Sequence, residues 1–400
     1  MECPKLRPVE MVPVKDGQKE LILIRDPEGI LEENLVVSKD VAYLFCLMNG
    51  KRTLRDLQAE YMKAFGELIY IEKLNDLIAS LDKHFLLENE NYYGRLNTLK
   101  REYEASQSRP AYLAGKSYPA NRMELLLFLD SFFSEKEKRA KLEGRITGVL
   151  SPHIDYLRGR DVYVSTYEYL RNLTIPLIVI FGTSHKVSEK LWNISIKDFL
   201  TPIDRVPVSN DLKKLISGNK VLKDYICEWP HRTEHSIELQ LPLLQFTIQN
   251  EFEILPILTG SMHEYVLDEK NPDDGEIEDL VSSLKSCLDT YGKPHIVLSA
   301  ADLAHIGAQF GDEYPLDIWT LKSSQAKDER LLEAVKECDA QRFLNLIKEE
   351  KDRRRICGLA PIYFQLKMVS GSRCQITKYK QWTDGASSVS FAGAIFYTDE

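Results

Sequence analysis

Leu177-Ile-Val-Ile-Phe-Gly-Thr-Ser-His185 is the stretch on which the fold turns. Five consecutive apolar residues read as a strand buried on both faces. The glycine and small residues after them allow close approach to the backbone before the chain presents His185. The pattern recurs on either side. Gly144-Arg-Ile-Thr-Gly-Val-Leu150 leads into Ser151-Pro-His-Ile-Asp-Tyr156, and His295-Ile-Val-Leu-Ser299 leads into Asp302-Leu-Ala-His-Ile-Gly307. With Phe252–Leu258, these runs alternate with helical stretches. That alternation predicts an α/β domain whose central sheet, largely parallel or mixed, is flanked by helices. In such a domain the loops at the carboxyl ends of the strands assemble the site.

Five of the eight histidines fall in four short stretches: the two just named, Gly182–His185, and His231-Arg-Thr-Glu-His-Ser-Ile-Glu238. Imidazole is both the commonest metal ligand and an acid/base that works near neutral pH. His153 and His185 follow strands directly, and Asp155 lies close enough to orient an imidazole. His235 is expected to open a helix, with Glu238 one turn on, on the same face. Asp302 and His305 follow the last strand. Each residue also has a plain reading: a hydrogen-bonded structural histidine, a first-turn glutamate, or an aspartate capping a helix. The recurrence in four places favours a site. Ser184 and Cys357 are expected to line it. Cys357 follows Arg353-Arg-Arg355, which can lower a thiol pKa, although a packed structural cysteine is the competing reading. The arginines themselves are expected to be solvated beyond a helix Leu331–Glu350.

Composition bounds the alternatives. The 400 residues are 44% hydrophobic and 28% charged, with no low-complexity tract, as in a soluble globular protein. A formal charge of −9 argues against bulk nucleic-acid or anionic-membrane binding. The N-terminus lacks a signal-peptide core and no apolar run approaches membrane-spanning length, so a cytoplasmic location is expected. Seven scattered cysteines without a C-x-x-C pair read as reduced thiols.

The first quarter of the chain has a different pattern. Two strand-like runs, Leu21–Ile24 and Leu35–Val37, precede a helix over 38–48. A second helix, capped by Thr53, runs to about Phe65, and a third covers Ile71 to about His84. Phe85–Tyr93 is expected to form a short hairpin, which completes a winged-helix outline. Residues 94–108 are expected to be a helical linker before a larger domain at 109–400. Around the segment Asn49-Gly-Lys-Arg-Thr-Leu-Arg-Asp-Leu57 and the third helix, residues 1–93 resemble PqqD-like peptide-recognition domains. That resemblance implies peptide or protein recognition. DNA binding and contacts made only within the chain or its oligomer stay open, and Ile71–Phe85 has little net positive charge.

From Arg109-Pro-Ala-Tyr-Leu-Ala-Gly-Lys-Ser-Tyr-Pro119 onward, the order of motifs resembles the Memo family, and more closely its AmmeMemoRadiSam system protein B branch. The likeness continues through Ser151–Tyr156, Gly182–His185, Glu234–Pro242, Ile254–Ser261, Asp302–Gly307 and Ile356–Gly358, and ends at Ser387–Gly393. The resemblance implies a fold related to LigB-type class III extradiol dioxygenases, which use non-haem iron(II). It implies His153 and His185 as metal-proximal, His235 as a third pocket histidine, and Asp302 and His305 as pocket-lining. Two departures matter. Ala304 stands where animal relatives carry a cysteine, so that thiolate ligand is missing. His231, Arg232 and Thr233 stand where those relatives have acidic residues.

The expected centre holds iron(II) or another divalent transition metal on His153, His185 and a carboxylate, Asp302 or else Glu238. His235, Glu238 and His305 are the expected acid/base groups, and Asp155, Ser184 and Cys357 line the pocket. The resemblance further implies a radical S-adenosylmethionine partner and a peptide delivered by the N-terminal domain. A non-catalytic adaptor using the same pocket is the alternative. A metal-independent hydrolase lacks a Gly-x-Ser-x-Gly elbow.

Overall fold

The computed structural model describes residues 3–399 except 18, 32–34, 135–141, 187, 249, 273 and 274. The chain forms two compact units, Met1–Ser106 and Gln107–Glu400.

In the first unit, β1 (Glu10–Asp16), β2 (Lys19–Arg25) and β3 (Leu35–Ser38) make an antiparallel sheet in that order. Four helices follow: α1 (Lys39–Leu47), α2 (Leu54–Phe65), α3 (Ile71–Lys83) and α4 (Glu90–Ala105). Thr53 starts α2 through a reciprocal box with Asp56, and Gly66 ends it in the left-handed region. Strand β1 carries Pro13 and lies at a sheet edge, where a missing N–H costs least. The sequence pattern had not marked it. The expected hairpin over Phe85–Tyr93 is corrected. Leu87 makes a single bridge to Leu6, and the Asn89 side chain accepts from the Tyr92 N–H at 3.1 Å. An asparagine before a polar run is a helix N-cap, so the chain enters α4 and residues 94–105 form its body. Ile24, Leu44, Phe45, Leu57, Leu74, Leu81 and Leu86 make this unit's core.

The second unit opens with β4 (Ser108–Arg109), which joins β8 (Asp198–Leu200) and β9 (Arg205–Val206) in a small sheet. Its main sheet has eight strands: β5 (Arg145–Ser151), β6 (Leu177–Thr183), β7 (Trp192–Ile194), β10 (Glu253–Thr259), β11 (His295–Ala300), β12 (His305–Gly307), β13 (Arg373–Thr383) and β14 (Ser387–Thr398). The order is β12-β14-β5-β11-β6-β10-β7, with β13 also paired to β14. The inner strands β5, β11, β6 and β10 run parallel. The remaining pairs are antiparallel, so the sheet is mixed. Its helices are α5 (Arg122–Phe133), α6 (Tyr156–Tyr167), α7 (Asn210–Gly218), α8 (Gln240–Thr247), α9 (His263–Val266), α10 (Glu276–Tyr291), α11 (Ile318–Lys336), α12 (Ala340–Glu349) and α13 (Leu359–Met368).

The uninterrupted apolar run of β6 is explained by its two faces. Leu177, Val179 and Phe181 pack with residues of α10–α13, including Leu284, Leu331, Phe343 and Phe364. Ile178 and Ile180 point the other way, against Leu125 and Leu129 of α5, Tyr163 and Tyr167 of α6, and Leu241 of α8. Each such side chain contributes about 1.5–3 kcal/mol by leaving water. The expected helix Leu331–Glu350 is two helices, because Cys338 takes a positive φ of 53° and Asp339 caps α12. The arginines after it are not a solvated run. Arg354 is buried between Asp328 and Glu350, and Arg355 pairs with Asp312 at 2.6 Å. Among the described residues, no helix is long and apolar enough to cross a membrane.

Candidate metal centre

Sheet register creates the site. Ala300 stands opposite both Ser151 and Gly182, so β5, β11 and β6 end level with one another. The chain then presents His153, Asp302 and His185 within two or three residues of each strand end. Gly182 is needed for a different reason than substrate access. A Cβ there would sit 2.6 Å from both Ser236 Oγ and Ile237 Cγ1. Its absence lets the segment carrying His235 close onto β6.

His153, His185 and His235 each offer a ligand atom within 4.8 Å of the others. Ring centroids are 5.0, 5.3 and 4.5 Å apart for the pairs 153–185, 153–235 and 185–235. His153 is buried, and its Nδ1 donates to the Ala300 carbonyl at 2.9 Å. Since that oxygen only accepts, Nε2 is left as a bare lone pair. Burial, followed by the charges of His185 and His235, holds the His153 pKa well below 6.5.

Glu234 organises the other two imidazoles. Its Oε1 lies 3.0 Å from His185 Nδ1 and 3.1 Å from His235 Nδ1. The same carboxylate accepts from the backbone N–H groups of His185, His235 and Ser236 at 2.9, 2.8 and 3.1 Å. Burial raises the Glu234 pKa, but the two histidines outweigh it and hold the group well below the usual carboxylate range. Burial likewise pulls His235 down, and Glu234 overcomes it, leaving the pKa raised. An ionised carboxylate bonded to both Nδ1–H groups turns both Nε2 atoms outward. The sequence reading passed over Glu234. The signal available was its place inside the Glu-His-Ser-Ile-Glu motif, next to the histidine it orients.

The remaining site residues fall in different places. Asp302, expected as a ligand, is absent from the three-residue group. Its Oδ1 accepts from the His153 N–H at 3.0 Å, and its Oδ2 lies 3.8 Å from His153 Nε2. Burial raises its pKa to about 7. It caps no helix. His305 donates Nδ1–H to the Leu303 carbonyl at 3.1 Å and packs against Phe310, and burial lowers its pKa to about 4. Cys357 Sγ lies 3.3 Å from His153 Nε2, and burial pushes its thiol well above 9.0. Ser184 bonds the Lys186 carbonyl at 3.1 Å.

Two expected placements are corrected. Asp155 does not orient His153; it caps α6 by accepting from the Arg158 N–H and pairs with that arginine at 3.0 Å. Glu238 does not share a helix face with His235, because α8 begins only at Gln240. Its fully buried carboxylate pairs with Arg109 at 2.6 Å and accepts from Tyr112 N–H, Leu113 N–H and the Tyr118 hydroxyl. Those partners occupy both of its carboxylate oxygens.

The donor set fits a borderline transition-metal ion. Three imidazoles with Nδ1 committed and Nε2 turned outward suit Zn2+, Fe2+ or Cu2+ better than oxygen-seeking Mg2+ or Ca2+. An α/β unit with histidines gathered at level carboxyl strand ends defines the class of protein. Residues 109–395 match the family model described as Memo-like protein, and the chain belongs to that family. It is similar to a MEMO1 family protein of Aquifex aeolicus, at 26% identity over 98% of this chain and 100% of that protein. It is also similar to one of Thermus thermophilus, at 30% identity over 73% of this chain and 83% of that protein. Among solved structures, the uncharacterized protein JW3007 from Escherichia coli K12 aligns with 62% of this chain and 99% of its own, with TM-score 0.35 and 11% identity.

Proposed function

We propose that this chain is a metal-dependent protein in which His153, His185 and His235 hold one divalent transition-metal ion through Nε2. The observation that carries the reading is the single Glu234 carboxylate bonded to Nδ1 of two adjacent imidazoles. Carboxylate–imidazole pairs of this kind fix the tautomer that a metal ligand needs. A bound ion supplies Lewis-acid chemistry or, as iron(II) with open positions, redox chemistry of the dioxygenase type. The side chains of His185 and His235 are 39% and 36% exposed, so a substrate can reach the centre from solvent. Asp302 and His305 flank it and are the groups placed to move a proton.

The finer reading is a component of an AmmeMemoRadiSam-type modification system, acting on a small molecule or peptide with a radical S-adenosylmethionine partner. The PqqD-like resemblance of the first unit supports peptide delivery. So do its exposed apolar residues Met62, Phe65, Leu68 and Tyr70, which follow one another from the end of α2 to the start of α3. That patch equally favours the second reading, a non-catalytic adaptor. Metal content of anaerobically purified protein separates the two. Stoichiometric metal, lost in His153→Ala/His185→Ala, is expected. Metal-free protein that binds partner peptides equally well with and without both histidines would replace the metalloprotein reading by the adaptor.

A further inference from the structure

The main sheet has a second concave end. Strands β5, β11 and β6 start beside one another, with His295 opposite Leu177 and Val297 opposite Gly148. These starts lie about 20 Å from the histidines, at the other end of the same strands. They border a cavity of about 340 Å3, near the lower end of the roughly 300–1,000 Å3 typical of small-molecule sites. Ile146, Leu173, Ile175 and Ile296 give it apolar walls. Pro176 and Pro294 lead into β6 and β11 without an N–H, so the strand starts add little polarity.

Three basic residues share that lining: Arg145, Arg171 and His295. Arg171 is committed to Glu168 at 2.9 Å and lies over the rings of Phe133 and Phe246. Arg145 is exposed and, among the described residues, makes no ion pair. Burial holds the His295 pKa below 6.5, against the pull of the Lys293 carbonyl, and the Arg145 charge adds to it. Guanidinium and imidazole are therefore neighbours. Gly144, with φ 121°, sets where Arg145 begins its strand, because a Cβ there would overlap the Thr398 carbonyl oxygen.

We propose that this cavity binds a small amphipathic anion: an apolar body of about eight carbons ending in a carboxylate held by Arg145. An uncharged ligand would leave the guanidinium unpaired, and a bare anion such as phosphate would leave the apolar walls uncovered. A ligand with both parts matches both halves of the lining. The site is independent of the histidine centre, and no bond is made or broken in it.

Isothermal titration of the full chain with octanoate, 1-octanol and inorganic phosphate tests this. One octanoate per chain is expected, with the alcohol and phosphate each weaker by about tenfold or more. Arg145→Ala should weaken octanoate by about 10–100-fold, the loss of a charge-assisted pair, and leave octanol unchanged. Leu173→Asp should abolish octanoate binding by setting a like charge at the rim. Both positions are exposed, and circular dichroism checks that both variants fold. His153→Ala/His185→Ala should bind octanoate as the wild type does. Octanoate binding that survives in Arg145→Ala and is lost without the two histidines would put the carboxylate on the histidine centre and overturn the proposal. So would phosphate or octanol bound as tightly as octanoate, or no octanoate bound at all.

Discussion

Replacing Glu234 by glutamine keeps the side-chain shape and removes one charge, and this isolates what the carboxylate does. Its Oε1 receives hydrogen bonds from His185 Nδ1, His235 Nδ1 and the N–H groups of His235 and Ser236, and its Oε2 receives the His185 N–H. An amide can accept at only one of those positions. If the amide oxygen faces the four donors, its NH2 meets the His185 N–H, donor against donor, at a cost of about 1–3 kcal/mol. Both Nδ1–H groups also lose an ionised acceptor. One such outer partner is typically worth 10–100-fold in metal affinity. Glu234 serves two ligands, so we expect the Kd for Zn2+ or Co2+ to rise by about 100-fold, near 2.7 kcal/mol. Competition against a chromophoric chelator measures it, with circular dichroism reporting the fold. A Kd within threefold of wild type in a folded variant would refute the claim that Glu234 sets the imidazole orientation.

Arg109→Met should destabilise the second unit by about 3–5 kcal/mol in urea unfolding, because it strands the buried Glu238 carboxylate; a loss below 1 kcal/mol would mean that Glu238 finds another partner. His231 is buried with Nε2 at 2.8 Å from the Asn193 carbonyl, and burial lowers its pKa to about 3. The unfolded chain binds that proton near pH 6.5 and the folded chain does not. Stability from this group is therefore present above pH 6.5 and falls by about 1.4 kcal/mol per unit as pH drops toward 3. His231→Gln should flatten that acid limb in melts from pH 7 to 4, and an unchanged slope would count against a neutral buried imidazole. Gly358→Ala places a methyl 2.4 Å from the Asp302 carbonyl oxygen and 2.8 Å from Ala301 Cβ. The expected cost is about 1–3 kcal/mol, seen in thermal melts, and an unchanged melting temperature would mean that the helix start shifts to make room.

The parallel strands were legible because burial on two faces leaves a continuous apolar run, as in Leu177–Phe181, and that signal is local. The longest strands were not. In β13 the run Arg373-Cys-Gln-Ile-Thr-Lys-Tyr-Lys-Gln-Trp-Thr383 is half-buried and carries three basic residues. In β14 serine, alanine and glycine sit among the buried apolar residues, because this strand lies between β13 on one side and β5 and β12 on the other. The histidines were legible as residues following strands. Their recurrence pointed to one site, but not to which three would meet, since that depends on Ala300 aligning with Ser151 and Gly182, a register no single segment encodes. The wing was misread because Asn89 looks alike as a turn residue and as a helix cap. Only its bond to Tyr92 tells the two apart.

The segment holding His235 is neither helix nor strand, so its geometry must come from buried charge rather than from a backbone ladder. Arg109 supplies it from far away in the chain. Its Nε donates to the His231 carbonyl at 2.6 Å and its Nη2 to the Glu234 carbonyl at 2.8 Å, while the same guanidinium pairs with Glu238. Three fixed points, at 231, 234 and 238, bracket His235 and set the position of the Glu234 side chain beside it. The family match begins at residue 109, the residue from which the segment holding His235 draws its support. Moving that arginine would leave the His153 and His185 strand ends intact yet release the third imidazole. Changes at residue 109 and at Glu234 should therefore be non-additive in metal affinity, because both act through the same imidazole.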